Sequence, residues 1–257
     1  MRSGINETAG QLSTKLWRGL DTDLVAQGPR PNVEFFYENF FGPIEAMTSA
    51  GSNKQGQLVL STTGDVSSAG VQGGGLLIDS DSTTDNQGAN FFVPGAVVTP
   101  AAGRTICFET RLSATDIASG IQLVAGLVDA ADVTTQMSAD ALTATDFMTF
   151  YSTGATGTAG LIKFSSTTAS IAGATTVSSG IHTLTDSTYV QLGFRVNGLD
   201  NVEVYADGAL VDSTTITTAT IPSATPLHPV FACITVGTTT PQTTVKWYAV
   251  GSMENVI

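Results

Sequence analysis

The chain has 257 residues, 42% of them hydrophobic and only 12% charged, where an ordinary soluble domain carries roughly 25% charged residues. Its formal net charge is −12. Four of the ten basic residues, Arg2, Lys15, Arg18 and Arg30, fall in the first thirty positions, which leaves six against nineteen acidic residues beyond them. A body of that charge repels phosphate, so nucleic acid and an anionic membrane surface are excluded as principal partners.

The start, MRSGINETAG, has no apolar stretch after its basic residue, and no run approaches the ~18 apolar residues of a membrane span. The expectation is a protein made in the host cytoplasm and not secreted. From Thr8, the segment TAGQLSTKLWRGLDTDL sets Leu12, Leu16, Trp17, Leu20 and Leu24 near one face at helical spacing. Gly28-Pro29-Arg30-Pro31 then breaks the helix. Residues 1–31 therefore read as a partly helical arm, packed either on its own domain or, through that Leu/Trp stripe, on a neighbouring subunit.

Residues 32–257 read as one β domain. The aromatic-rich segment Asn32 to Met47 supplies a first strand and turn, ended by Gly42-Pro43. Beyond it, short apolar runs alternate with Gly, Ser, Thr, Asp and Asn, the rhythm of a sandwich or barrel. Alternation predicts strands at Arg104–Leu112, Ile121–Val128, Phe147–Tyr151, Leu161–Phe164 and Tyr189–Val196. It predicts four more at Val202–Tyr205, Ala209–Asp212, Val230–Val236 and Thr244–Val250. Asp207-Gly208 supplies the positive φ angles of a tight hairpin between two of these. Ser138 to Leu142 has room for one helical turn, and Gly73-Gly74-Gly75 reads as a turn rather than a phosphate loop. Cys107 and Cys233 sit in apolar runs and read as small buried hydrophobes, with a disulfide open if their strands face each other.

Retaining glycosidases place two carboxylates about 5–5.5 Å apart. On a strand, residues two apart share a face, and the predicted strands hold no such pair: Glu109 is followed by Arg111 and Glu203 by Tyr205. His182 and His228 are the two possible bases, with His228 in a connecting loop, and no Gly-x-Ser-x-Gly elbow exists. The chain is therefore expected to be non-enzymatic. Asp79, Asp81, Asp85 and Asn86 offer hard oxygen ligands within eight residues, a loop suited to Ca²⁺, although Asp and Asn also serve turns by bonding their own backbone. No other cofactor is expected. Glu109, Arg111 and Cys107 share one strand face, either solvated or in contact with a neighbour.

The stretch STYVQLGFRVNGLDNVEVYADGALVDSTT, followed by VFACITV and TTVKWYAVGSM, resembles the hairpin and closing strands of laminin-G and concanavalin-like domains. With GGGLLIDSDSTTDNQGANFF, AAGRTICFETRLSATDI and LVAGLVDAAD in the same order, residues 35 to 257 resemble a group of tailed-bacteriophage virion proteins with that jelly roll. The resemblance implies an all-β fold of two antiparallel sheets and a structural protein of the virion. Its expected role is that of a capsid decoration or cement protein or a minor capsid protein on the capsid surface, bound through its arm and sheet surfaces to the major capsid protein or other virion subunits. By analogy it implies a homo-oligomer, a trimer. The alternative is a carbohydrate-binding, lectin-like module for host recognition on the particle, with a glycan as ligand.

Overall fold

The fold is taken from a computed structural model, which describes residues 12–18, 33–40, 44–52, 56–60, 63–71, 74–95, 97–129, 146–152, 161–167, 175–215 and 220–254. Among these residues sixteen strands form. They are β1 (Val33–Glu38), β2 (Gly51–Ser52), β3 (Gln57–Leu60), β4 (Asp65–Ser68), β5 (Leu76–Asp79), β6 (Gly88–Phe92), β7 (Arg104–Ala114) and β8 (Ile121–Asp129). The second half adds β9 (Phe147–Tyr151), β10 (Leu161–Thr167), β11 (Thr175–Thr183), β12 (Val190–Asn197), β13 (Asn201–Ala206), β14 (Ala209–Thr215), β15 (Leu227–Thr235) and β16 (Gln242–Glu254). They build two antiparallel sheets. Sheet A runs β14-β13-β12-β7-β16-β5-β4, with β1 also paired to β16, and sheet B runs β11-β10-β9-β8-β15-β6-β3-β2. The expected all-β sandwich is present.

Period-two alternation decides which side chains enter the core. On β7, Ile106, Phe108, Leu112 and Ala114 join the core between the sheets, and Cys107, Glu109 and Arg111 take the outer face of sheet A. On β12, Val190, Leu192, Phe194 and Val196 point inward, so Gln191, Gly193 and Arg195 share that outer face. Phe194 sits centrally among the inward rings, 5.4 Å from Phe108, 6.0 Å from Phe150 and 5.0 Å from Phe164. Strand β15 is buried along its whole length, because it pairs with β8 and β6 and carries apolar residues on both faces.

Two local features depart from simple alternation. At the β13–β14 hairpin, Asp207 (φ 47°) and Gly208 (φ 76°) both have positive φ, as the Asp-Gly pair predicts. On β16 the register against β7 shifts between Val245 and Trp247, so Lys246 is an extra, bulged residue. Val245 and Tyr248 both enter the core. The bulge thus sends two consecutive side chains, Lys246 and Trp247, to the outer face where strict alternation would send one.

Three expectations are corrected or refined. The described part of the arm, residues 12–18, is a turn rather than a helix. Its Trp17 backbone N–H donates to the Ser13 carbonyl (3.0 Å), closing a single turn within the described residues. His228 lies in β15 rather than in a loop. Pro229 beside it accepts from the Val93 N–H (3.0 Å) but has no N–H to return that bond, and the β6 ladder ends at Phe92, opposite Val230. Cys107 and Cys233 are both free and buried. The Ser138 to Leu142 turn lies outside the described residues.

Phe194→Ala is expected to cost about 3–5 kcal/mol, because the rings around it cannot collapse into the space. Urea unfolding measures this. A loss under about 1 kcal/mol would mean that the ring cluster is not the centre of the core.

Candidate functional site

The outer face of sheet A is where polar chemistry gathers. Its centre is Glu109, on β7 between the outward Cys107 and Arg111, and only 1% exposed. A dry carboxylate needs donors, and four groups supply them. The Ser13 backbone N–H donates at 3.0 Å, the Trp17 indole N–H at 2.6 Å and the Gln191 amide at 2.7 Å, and the Ser13 hydroxyl donates as well. Burial still raises the Glu109 pKa above the usual carboxylate range, against the lowering effect of these bonds.

Residues 12–18 form a strap over this carboxylate. Leu12, Leu16 and Trp17 are buried against Cys107, Tyr205, Trp247 and Ala249 on the outer face of the chain's own sheet. These are three of the five residues expected to form the arm's stripe; Leu20 and Leu24 lie outside the described residues. Two glycines make the depression that receives the strap. A Cβ on Gly193 would collide with Leu16 Cδ1, and one on Gly251 would stand 3.1 Å from the Trp17 ring. Trp17 packs edge-on against Phe35 at 5.4 Å. Arg195 fixes the far end of the strap, its guanidinium donating to the carbonyls of Leu16 (3.0 Å) and Arg18 (2.6 Å). Arg18 pairs with Glu203 at 2.5 Å and donates to the Tyr205 hydroxyl at 2.9 Å. Beneath the strap the Cys107 thiol donates to the Leu16 carbonyl (3.6 Å), and burial pushes its pKa up to about 12. The Trp247 indole N–H is buried there with no hydrogen-bond partner among the described residues.

Past the strap the same face opens. Arg111 is exposed and its guanidinium carbon lies 5.4 Å from the centre of the half-buried Tyr189 ring. The Lys246 ammonium lies 5.9 Å from the same ring and donates to the Gly74 carbonyl at 2.9 Å. Glu109 and Arg111 were visible as face-mates from their spacing on one strand. Gln191, Arg195, Tyr189 and Lys246 were missed, because their membership depends on which strands become neighbours. The alternation of Gln191 with Arg195 on β12 was the available signal.

The proposed calcium loop is arranged differently. Asp79 accepts from the Asp81 backbone N–H (2.9 Å) and from the Gln242 amide (2.6 Å), and Asn86 accepts from Gln122 (3.4 Å). Asp81 and Asn86 have positive φ, as turn residues do. Asp85 is exposed in the same turn. No three of the described His, Cys, Asp and Glu side chains come together to hold a metal ion. His228 is also assigned to packing: its ring lies 5.0 Å from Phe92, and burial lowers its pKa. A cavity of 340 Å³ opens beside β1, lined by Phe35, Phe36, Val97 and Val98. Glu34 also lines it, beside these apolar residues.

No protein-family model matches the chain. No curated protein sequence matches it either. Solved structures do. A Bacteroides ovatus glycoside hydrolase family 16 protein, in complex with G4G4G3G product, aligns with a TM-score of 0.54 at 10% identity, over 84% of this chain and 99% of that one. The Bacillus licheniformis β-glucanase aligns with a TM-score of 0.51 at 12% identity, over 84% and 97%. Lectin II from Ulex europaeus aligns with a TM-score of 0.54 at 12% identity, over 85% and 98%. The fold is the concanavalin-like jelly roll of these glycan-cleaving and glycan-binding proteins. The expectation of a non-enzymatic chain is corrected by the same comparison, since family 16 endo-glucanases share this fold over most of their length. That expectation looked for paired acids along single strands, whereas a sheet face collects side chains from several strands.

Glu109→Ala is expected to release the strap, since three of the groups it accepts from belong to Ser13 and Trp17. Cys107 then becomes reactive toward a thiol reagent in the folded protein, and Trp17 emission shifts to the red. An unreactive Cys107 in a folded variant would show that apolar packing alone holds the strap.

A pH dependence follows from the raised Glu109 pKa. The folded chain keeps this proton longer than the unfolded chain. The resulting stability is complete below the ordinary carboxylate range and fades as pH rises through the folded value. Glu109→Gln, which does not titrate, is expected to flatten that part of the stability curve measured by urea unfolding. Parallel curves for the two proteins would overturn this assignment.

Proposed function

We propose that the chain recognises carbohydrate on the outer face of sheet A. One observation carries the reading: an acid (Glu109), an amide (Gln191), two cations (Arg111 and Lys246) and the rings of Tyr189 and Trp247 converge on a single sheet face. Sugar sites need such a mixture of rings and a few placed polar groups. The similarity in fold to glucanases and lectins supports the reading, and favours it over a purely structural shell role. The sequence resemblance to tailed-phage proteins would place such a face on a virion, where host recognition is its use.

The strap covers the Glu109 half of the face, so ligand and strap compete for it. Apparent affinity scales with the fraction of molecules in which the face is open. A second reading, cleavage of the bound glycan, is favoured by Glu109 itself. A buried carboxyl with a raised pKa is suited to act as a general acid.

The test is a panel of polysaccharides, scored for binding and for release of reducing ends. Binding to at least one of them is expected, and Trp17→Ala, which loosens the strap, is expected to tighten it. Weaker binding by that variant would make residues 12–18 part of the ligand surface instead of its cover. Reducing-end release abolished by Glu109→Gln would establish the second reading. A folded protein that binds no member of the panel would refute the proposal.

A further inference from the structure

The open half of the face carries an arrangement that is unusual for this composition. In a chain with twenty-two acids and ten cations, Arg111 and Lys246 stand together over one tyrosine ring, within 5.4 and 5.9 Å of its centre. The ion pairs among the described residues are Arg18–Glu203 and Arg104–Glu254, and Arg111 is in neither. The nearest acid along β7, Glu109, is turned under the strap and held there by Ser13, Trp17 and Gln191.

The backbone imposes this pairing. Lys246 lies between Val245, opposite Leu112, and Trp247, opposite Arg111, so strand pairing sets it beside Arg111 on the outer face, and the bulge adds Trp247 to that same face. The Tyr189 π-face offsets part of the repulsion between them, and the Gly74 carbonyl fixes where the ammonium stands. The cost of the juxtaposition shows in Lys246, whose pKa is lowered by burial and then by the charge on Arg111. Bulges recur beside functional sites because they re-aim a side chain in this way.

We infer that Arg111, Lys246 and Tyr189 form a clamp for the anionic group of an acidic sugar, a carboxylate or a sulfate, at the open end of the glycan face. The planar guanidinium takes two oxygens of such a group, and the ammonium a third. Gln191, paired with Arg111 across β7 and β12, stands beside the clamp to meet sugar hydroxyls. The inference rests on the carbohydrate reading above and narrows its ligand class.

The experiment measures binding of the full chain to three groups of polysaccharide by calorimetry. Polygalacturonate and alginate supply carboxylates, dextran sulfate and carrageenan supply sulfates, and laminarin and mixed-linkage glucan are neutral. The proteins are the wild type, Arg111→Ala, Lys246→Ala, and Lys163→Ala as a control cation on sheet B. Tight binding to one acidic group is expected, weakened about tenfold by each clamp substitution, weakened by salt, and unchanged by Lys163→Ala. Which acidic group binds distinguishes carboxylate from sulfate. Neutral glucans bound as tightly as acidic ones, with both clamp variants unaffected, would overturn the clamp and leave the carbohydrate reading standing. Sodium sulfate displacing the acidic polysaccharide at equal anion concentration would reduce the site to a simple anion site and overturn the sugar assignment. Binding to none of the polysaccharides would overturn both.

Discussion

Drying a carboxyl group in the middle of a sheet is unfavourable unless donors reach it from outside the sheet, because the ladder uses the backbone donors within it. Glu109 imposes that requirement on the outer face of sheet A. One donor, Gln191, comes from the neighbouring strand, and the others come from residues 12–18, more than ninety positions away in the chain. The strap is therefore held by a polar demand as well as by the burial of Leu12, Leu16 and Trp17. The two contributions depend on each other. The indole reaches Glu109 because the missing side chain at Gly251 lets its ring lie flat against β16, and Leu16 fits because Gly193 leaves the opposite side bare.

The same face divides into two electrostatic halves. Under the strap, the carboxyl group is held by four hydrogen bonds while burial raises its pKa, and Arg195 is occupied by the carbonyls of Leu16 and Arg18. Beyond the strap, Arg111 is exposed and Lys246 half-buried on the same face. An overall charge of −12 would sweep anions away from most of the surface, so a local cationic pair acts as a short-range exception whose reach is about one Debye length. Such a site selects by contact rather than by long-range steering.

Much of the fold was legible in the sequence. The strict alternation of β7 and the apolar runs of β8, β9, β12 and β13 located those strands to within one or two residues, and Asp207-Gly208 marked its hairpin. Short strands such as β2, β3 and β4 were not legible, because two to four residues contain too little periodicity. His228 and Pro229 were misassigned because a proline normally excludes a central strand, whereas here Pro229 keeps its carbonyl bond from Val93 and its pairing with Leu127. At the site, Glu109 and Arg111 could be placed on one face from spacing alone. Gln191 and Arg195 could not, since they join that face only when β12 pairs with β7 in one particular register. The bulge at Lys246 was hidden as well: VKWYAV reads equally well as an unbroken strand. The acid-rich loop at Asp79 forms turns by bonding its own backbone, and turn-forming and metal-ligating residues are the same types.

Similarity of fold reaches as far as the scaffold. At 10–13% identity, the glucanases and lectins establish what a jelly roll of this size can carry, and the side chains on its face must decide what this one does. Here those side chains are not interchangeable along the face. A neutral chain of sugars would find donors and rings at the Gln191 end but nothing to balance the two cations beyond it. A small anion would satisfy the cations and leave the amide, the acid and the buried Trp247 indole N–H unused. On the reading proposed above, a ligand that is both hydroxyl-rich and anionic would engage the whole surface, and the further it extended toward Glu109, the more directly it would replace the bonds that Ser13 and Trp17 now make. On that reading, occupancy of the open half and displacement of the strap would be two stages of one equilibrium, linked through Gln191, which bonds Ser13 and Glu109 and pairs with Arg111 across the strands.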